Sequence, residues 1–206
     1  MAADPDAPRR SPAPEVRRRD ADRTREALLD AAKVEFAAKG LAGARVSEIA
    51  ARAGVNKQLI SYYFGGKAGL HQALLDRWKQ QEADFTDPAE PIEELVLHYL
   101  DYAIADPEML RFFFRETLAE DPAAIPGPDE AGVPDDVQDL ARRQREGEFA
   151  ADVDPAFLLL VLQAAVGVGV TFPGDVKRMT GHDPQSPAFR AYMAEQLRTL
   201  LAHLRP

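Results

Sequence analysis

The sequence predicts an all-α protein with an N-terminal helix-turn-helix unit, a connector helix and a C-terminal helical part. Apolar residues recur at helical spacing along most of the 206 residues, and no segment alternates with period two. Glycine and proline residues separate the helical stretches. We expect about nine helices, and an apolar content of 46% is enough for a sizeable core.

The N-terminal part predicts a basic arm followed by a first helix. Residues 1–19 are rich in Pro, Ala and Arg and lack the apolar stretch of a signal peptide, so we expect them to be disordered. The first helix is predicted from about Asp20 to Ala38, with Leu28 and Phe36 on its buried face. Gly40 should end it.

Residues 45–70, RVSEIAARAGVNKQLISYYFGGKAGL, have the spacing of a helix-turn-helix. Apolar residues recur at helical spacing from Val46 to Ala53, and Gly54 can end that helix because glycine adopts positive φ without steric cost. In the second helix Ile60 and Phe64 lie four residues apart on one face. The second helix is therefore anchored on one side and exposed on the other.

The exposed side of the second helix carries donors, acceptors and an aromatic ring. Its outward residues are Lys57, Gln58, Ser61 and Tyr62. An ordinary αα-hairpin within a helical bundle is the alternative interpretation. Charge favours DNA binding, because residues 1–79 carry fifteen basic against ten acidic residues, whereas residues 81–206 carry ten against twenty-four.

A resemblance to a known family extends this interpretation. The segment from Thr24 to Leu74, and especially IAARAGVNKQLISYYFGGKAGL, resembles the N-terminal DNA-binding domain of the TetR family of bacterial transcriptional regulators. The AGV turn, the aromatic pair before a glycine and the Lys-x-x-Leu start of the next helix carry the resemblance. Ser61 stands where the family usually has tyrosine, and Arg45 stands where a threonine often caps the first helix of the motif.

The motif predicts two sets of contacts with double-stranded DNA. The four outward residues of the second helix are the candidates for base edges. The candidates for phosphates are Arg45, Ser47, Asn56, Tyr63 and Lys67. Asn56 is also the expected N-cap of the second helix, and Lys67 opens the connector helix, where the positive end of the helix dipole favours an anion. The basic arm either reaches the DNA or only solvates the terminus.

Beyond the motif only helices are expected. The connector helix from Lys67 places Leu70, Leu74 and Trp78 four residues apart. Later helices are predicted over Ile92 to Ala105, Pro107 to Ala119, Asp135 to about Glu146, Pro155 to Phe172 and Pro187 to Leu204. The domains are then an arm over 1–19, a helix-turn-helix DNA-binding domain over 20–66 and a regulatory and dimerisation domain over 67–206.

The last two predicted helices suggest assembly. Helix 155–172 is apolar nearly all round but short for a membrane span, and helix 187–204 carries one apolar stripe. Paired, they can form half of an intermolecular four-helix bundle, or they can pack only within the monomer. The family resemblance implies the homodimer, which presents two recognition helices to a palindromic operator about one DNA turn apart. No membrane partner is expected.

An effector site is expected among the middle helices. Its candidate residues are His98, Tyr102, Met109, Phe113 and Gln163. These side chains can equally be core packing. Because the C-terminal part has a net charge of −14, a neutral or cationic hydrophobic compound fits better than an anion.

Other function classes find little support in the sequence. The chain has no cysteine, and its four histidines form no His-x-x-x-His pair, so no metal site or other cofactor is expected. No nucleophile motif or phosphate-binding glycine loop suggests an enzyme. We therefore expect a cytoplasmic, ligand-responsive repressor. An enzyme or a helical protein-binding module remains the alternative if the helix-turn-helix pattern is accidental.

Overall fold

The structure is a computed structural model that describes residues 14–120 and 132–206, and these residues form ten helices and no strand. The helices are α1 Pro14–Gly43, α2 Val46–Ala53, α3 Gln58–Phe64, α4 Lys67–Phe85, α5 Ile92–Ala105, α6 Pro107–Ala119, α7 Asp135–Arg145, α8 Pro155–Thr171, α9 Pro173–Thr180 and α10 Pro187–His203. The all-α fold class is confirmed, with one helix more than expected.

The first helix is longer than the sequence predicted. It begins at Pro14, so residues 14–19 are helical and the prediction of disorder is wrong for them. The remainder of the predicted arm lies outside the described residues. Gly40 interrupts α1 with φ 67° and ψ 172°, after which the chain turns helical again up to Gly43. The predicted stop at Gly40 therefore coincides with this break between two helical segments.

The additional helix is α9, which follows α8 at a bend of 92°. The sequence Phe172-Pro173-Gly174 predicted a break, and the chain does break there, but Pro173 occupies the first turn of a new helix. Proline fits that position because its missing N–H has no partner there in any case. Among the described helices, none alone is long and apolar enough to cross a membrane; α8 and α9 meet that criterion only as a bent pair.

Two clusters of buried side chains form the core. The first is built by α1 to α4 and also takes Met109 and Phe112 from α6. The second joins α5, α7, α8 and α10, with Leu100 and Phe149 almost fully buried in it. The hydrophobic core of the helix-turn-helix unit therefore extends beyond the predicted boundary at residue 66.

Helix α6 connects the two parts of the chain. Besides its apolar contacts it makes polar ties to α1: the Lys33 ammonium lies 2.5 Å from the Asp106 carboxylate, and Arg115 Nε donates to the Ala37 carbonyl at 3.0 Å. It also reaches α4, where His71 Nε2 lies 3.0 Å from Glu116 Oε2. A displacement of α6 would therefore also displace α1 and α4.

Candidate nucleic-acid interface and cavity

The helix-turn-helix has the predicted geometry. Gly54 ends α2 with φ 68°, and Gly65 ends α3 with φ 70°. The Val55 N–H donates to the Ala50 carbonyl at 3.0 Å and closes the turn. Ile60 is 1% exposed and anchors α3 to the core, whereas Tyr62 is 78% exposed. The helix therefore presents one face to solvent, as the spacing indicated.

The four base-edge candidates are all exposed. They are Lys57, Gln58, Ser61 and Tyr62, which we call the recognition face. Asn56 precedes Lys57, which already has helical φ and ψ, and its Oδ1 accepts from the Gln58 N–H at 2.9 Å, so it caps the start of α3 two residues on. The recognition face thus starts at a fixed position.

A buried glutamate replaces the missing cap of α2. Arg45 makes no side-chain capping bond, but its N–H donates to Glu35 Oε1 at 3.3 Å. Glu35 is 3% exposed and also accepts from Lys39 Nζ at 2.7 Å. Burial alone would raise the pKa of Glu35; the bonds from Lys39 and Arg45 outweigh it and hold that pKa below its usual value. Sequence reasoning missed this role.

The phosphate candidates lie in different environments. Arg45 and Ser47 are exposed at the start of α2, and Tyr63 is half-buried against the core. Lys67 Nζ donates to the carbonyls of Ala42 at 3.3 Å and Ala44 at 3.1 Å. Its ammonium therefore ties the end of α1 to the start of α4, a structural role that the sequence did not indicate. Contact of these residues with phosphate stays a prediction.

Substitution of Lys67 should affect folding and DNA binding together. We expect Lys67→Met to lower the free energy of unfolding by about 1 kcal/mol, because two carbonyls lose a charged donor. It should also reduce the salt dependence of DNA binding by about one phosphate contact. Thermal denaturation and salt titrations of DNA affinity measure the two effects.

Arg45→Met is the matched control for Lys67→Met. The side chain of Arg45 is exposed, and within residues 14–120 and 132–206 it makes no hydrogen bond or ion pair. Its substitution should weaken DNA binding while the melting temperature stays the same. An unchanged melting temperature in Lys67→Met would contradict the structural role of that lysine.

The junction of α3 and α4 depends on a glycine that sequence reasoning missed. A Cβ atom built on Gly69 would stand 1.8 Å from the carbonyl oxygen of Phe64, the last residue of α3. Only glycine allows this approach of the two backbones. The available signal was an isolated glycine within the helical pattern of the connector, which often marks close packing.

A cavity of about 710 Å³ lies in the C-terminal part of the structure. Helices α4 to α8 all contribute to its wall, and five aromatic side chains form much of it: Trp78, Tyr99, Tyr102, Phe113 and Phe114. The Trp78 ring centroid lies 4.5 Å from that of Tyr102 and 5.0 Å from that of Phe113. A space of this size and lining is typical of small-molecule sites.

Three of the five predicted pocket residues line this cavity, namely Tyr102, Phe113 and Gln163. Met109 does not; it is fully buried in the first core cluster, one turn before Phe113 on the same side of α6. His98 also lies off the wall, with Nδ1 3.1 Å from Glu90 Oε2 and its ring near Phe85. Helical spacing identified apolar faces here but not the neighbour that each face meets.

The two basic residues of the wall differ in their surroundings. Arg143 is 1% exposed, and its guanidinium donates to Asp139 Oδ2 at 2.6 Å, to Glu148 Oε1 at 3.1 Å and to the carbonyl of Glu90. Burial would raise the pKa of Asp139, but the bonds from Arg143 and Arg142 hold it below its usual value. Lys79, the other basic residue, is exposed.

An all-helical fold with an exposed recognition face near its N-terminus defines a helix-turn-helix protein with a C-terminal helical domain. Residues 28–74 match the model of the family described as bacterial regulatory proteins, tetR family. Residues 28–74 therefore form a helix-turn-helix domain similar to that of the TetR family of bacterial transcriptional regulators.

Relatives of known sequence and structure agree with this assignment. The HTH-type transcriptional repressor SCO4008 of Streptomyces coelicolor is 40% identical over 110 residues, which cover 52% of this chain and 57% of that protein. The HTH-type transcriptional regulator RutR of Escherichia coli is 28% identical over 194 residues, 88% and 91% of the two chains. The chain thus spans about half the length of SCO4008 and most of RutR.

A solved structure extends the likeness to the whole fold. The crystal structure of SCO4942 from Streptomyces coelicolor superposes with a TM-score of 0.68 at 26% identity, covering 89% of this chain and 98% of that one. The structural likeness therefore includes the C-terminal helices as well as the helix-turn-helix.

Proposed function

We propose that this protein is a ligand-responsive transcriptional repressor that binds a palindromic operator as a homodimer and is released by a small hydrophobic effector. The exposed recognition face on a rigidly anchored α3 carries the proposal. Ile60 fixes α3 in the core, so Lys57, Gln58, Ser61 and Tyr62 can enter a major groove without a change in the fold. Occupation of a promoter would then exclude the transcription machinery.

The homodimer is supported by apolar side chains left exposed in the single chain. On α8, Phe157 and Leu160 are 63% and 65% exposed; on α10, Leu200 is 42% exposed. These two helices carry four of the nine large apolar side chains exposed among the described residues, and such exposure is typical of protein interfaces. We propose that α8 and α10 form the dimer interface and set the spacing of the two recognition helices. As a regulator of transcription, the protein acts in the cytoplasm and performs no catalysis.

The cavity and α6 support the link between effector and DNA. Leu110 and Phe113 of α6 face the cavity, while Met109 and Phe112 of the same helix lie in the core shared with α1 to α4. A ligand that displaces α6 would move α1 through the bond from Arg115 to the Ala37 carbonyl. That movement would shift α3, which carries the recognition face. A hundredfold loss of operator affinity needs a difference of only about 2.7 kcal/mol in effector affinity between the two states.

Selection of bound fragments from a random double-stranded DNA library, followed by anisotropy titrations, tests the function. We expect a palindromic consensus and an affinity that falls steeply as the salt concentration rises. Sedimentation should give the mass of a dimer. Failure to bind any fragment at low salt would contradict the proposal, and a monomer would contradict its dimeric form.

The variant Gln58→Ala tests base reading. Loss of a contact to a base edge should cost about 1–3 kcal/mol on the preferred sequence and relax the preference at that position. The matched control is Gln80→Ala, which removes an exposed glutamine in the C-terminal half of α4. It should change neither the affinity nor the sequence preference. If Gln58→Ala weakened all sequences equally, its role in base reading would be wrong.

A further inference from the structure

We propose that the cavity selects an organic cation: a compound with an aromatic or apolar body and one permanently positive or protonated nitrogen. This inference rests on the proposed function for its biological meaning and names the class of effector. It is carried by the combination of an aromatic wall with carboxylates that lack a cationic partner.

The carboxylates gather where the end of α4 meets the start of α7. Glu82 and Asp87 come from the end of α4 and the chain that follows it, and Asp135 and Asp136 come from the first turn of α7; all four line the cavity. Within the described parts of the chain none of the four lies within 4.0 Å of a basic nitrogen. Glu82 is half-buried and the other three are exposed, and no cation of the described residues neutralises their charge.

The carboxylates at this end of the cavity contribute to the pKa of a neighbouring phenol, that of Tyr99. Tyr99 OH donates to Glu82 Oε1 at 2.7 Å. Burial, then this bond and the charges of Glu82, Asp136 and Asp139 raise the pKa of Tyr99 well above its usual value. Burial disfavours any charge here, but the carboxylate charges that add to the shift would favour a cation beside Tyr99.

The basic groups of the wall do not offset this charge. Arg143 is already bonded to Asp139, Glu148 and backbone carbonyls, so an anionic ligand would have to displace those partners. Lys79 is solvated at the surface. Among the described residues of the wall, an anion would thus find no basic group inside the cavity that is not already bonded.

The aromatic wall complements the carboxylates. Trp78, Tyr102 and Phe113 pack edge to face, and Tyr99 links them to the acidic end. The negative faces of aromatic rings attract a cation, most strongly once it has lost water. The same rings bury the apolar body of the ligand. One molecule can therefore use both halves of the cavity.

Three probes of similar size and different charge test the inference directly on the full chain. They are naphthylmethylammonium, naphthylmethanol and naphthoate, titrated by calorimetry without DNA. We expect the cation to bind at least about tenfold more tightly than the alcohol, and the carboxylate to bind weakest. Equal or tighter binding of the alcohol or the carboxylate, or no binding of the cation, would overturn the inference.

Two variants locate the bound charge. Glu82→Gln retains an oxygen that can accept from Tyr99, so the wall is preserved. It should weaken binding of the cation about tenfold, whereas the affinity for the alcohol should change less than about twofold. Asp84→Asn removes the same charge from the same helix outside the cavity and should leave both affinities unchanged. Equal losses in the two variants would mean that general charge, and not this site, attracts the cation.

The outcome for the effector class is separable from the outcome for the function. Binding of the cation that leaves DNA affinity unchanged would uphold the chemistry of the cavity and contradict the regulatory link. A protein that binds its operator but prefers the alcohol or the carboxylate would uphold the DNA-binding function and contradict the selection of cations.

Discussion

Gly69→Ala is expected to abolish operator binding and to destabilise the protein. An added Cβ would stand 1.8 Å from the Phe64 oxygen and 3.0 Å from its carbonyl carbon, and both are backbone atoms that no rotamer change can move. Either α3 shifts or the first turn of α4 unwinds. Overpacking against backbone should cost about 3 kcal/mol, or roughly 6–12 °C in melting temperature. Displacement of the recognition face should weaken operator binding at least about a hundredfold.

The expected loss of stability in Gly69→Ala is opposite in sign to the usual effect of replacing glycine by alanine in a helix. At an ordinary position inside a helix, glycine to alanine stabilises by up to about 1 kcal/mol. Gly174→Ala is such a case, because no atom of the described residues lies within 4 Å of its added Cβ. It should leave the melting temperature and operator affinity unchanged or slightly higher. A Gly69→Ala protein that behaved like the Gly174→Ala protein would show that α3 and α4 are not closely packed.

Local signals made much of the fold predictable. The boundaries of α2, α5 and α6 follow from glycine and proline residues next to helical apolar spacing, and the structure confirms them. The direction of the recognition face follows from Ile60 alone, since a buried residue on a short helix orients the others. Such features depend on neighbours in the sequence.

Features that depend on distant parts of the chain could not be predicted. Met109 and Phe113 lie one turn apart on the same side of α6, so their spacing could not show that Met109 is core and Phe113 also lines the cavity. In helix α9 only Val176 is buried, so its sequence shows no apolar face that repeats at helical spacing. Arg143 belongs to a highly charged helix that the sequence presents as solvated.

Arg143→Met is expected to cause the largest loss of stability among the charged residues discussed. Its guanidinium is buried because the connection between α4 and α5 folds over it, where it donates to the carbonyls of Glu90 and Pro88. Methionine fills similar space but leaves Glu148 and the Glu90 carbonyl without this donor, whereas the Pro88 carbonyl keeps a bond from Arg142 at 2.8 Å. Removing one partner of a buried ion pair costs about 3–5 kcal/mol, and chemical denaturation measures it.

The loss in Arg143→Met should come from uncompensated charge and not from lost volume, and a second substitution separates the two causes. Glu148→Gln added to Arg143→Met removes the carboxylate charge, while its amide oxygen can still accept from the Ile92 N–H that Glu148 now binds at 2.8 Å. The double variant should therefore recover part of the lost stability, by about 1 kcal/mol or more. Arg145→Met, on the exposed side of the same helix, should change stability by less than about 0.5 kcal/mol. If the double variant were less stable than Arg143→Met alone, the stability lost in Arg143→Met would come from packing. The ion pair would then not be the contact that holds α7 against the connection between α4 and α5.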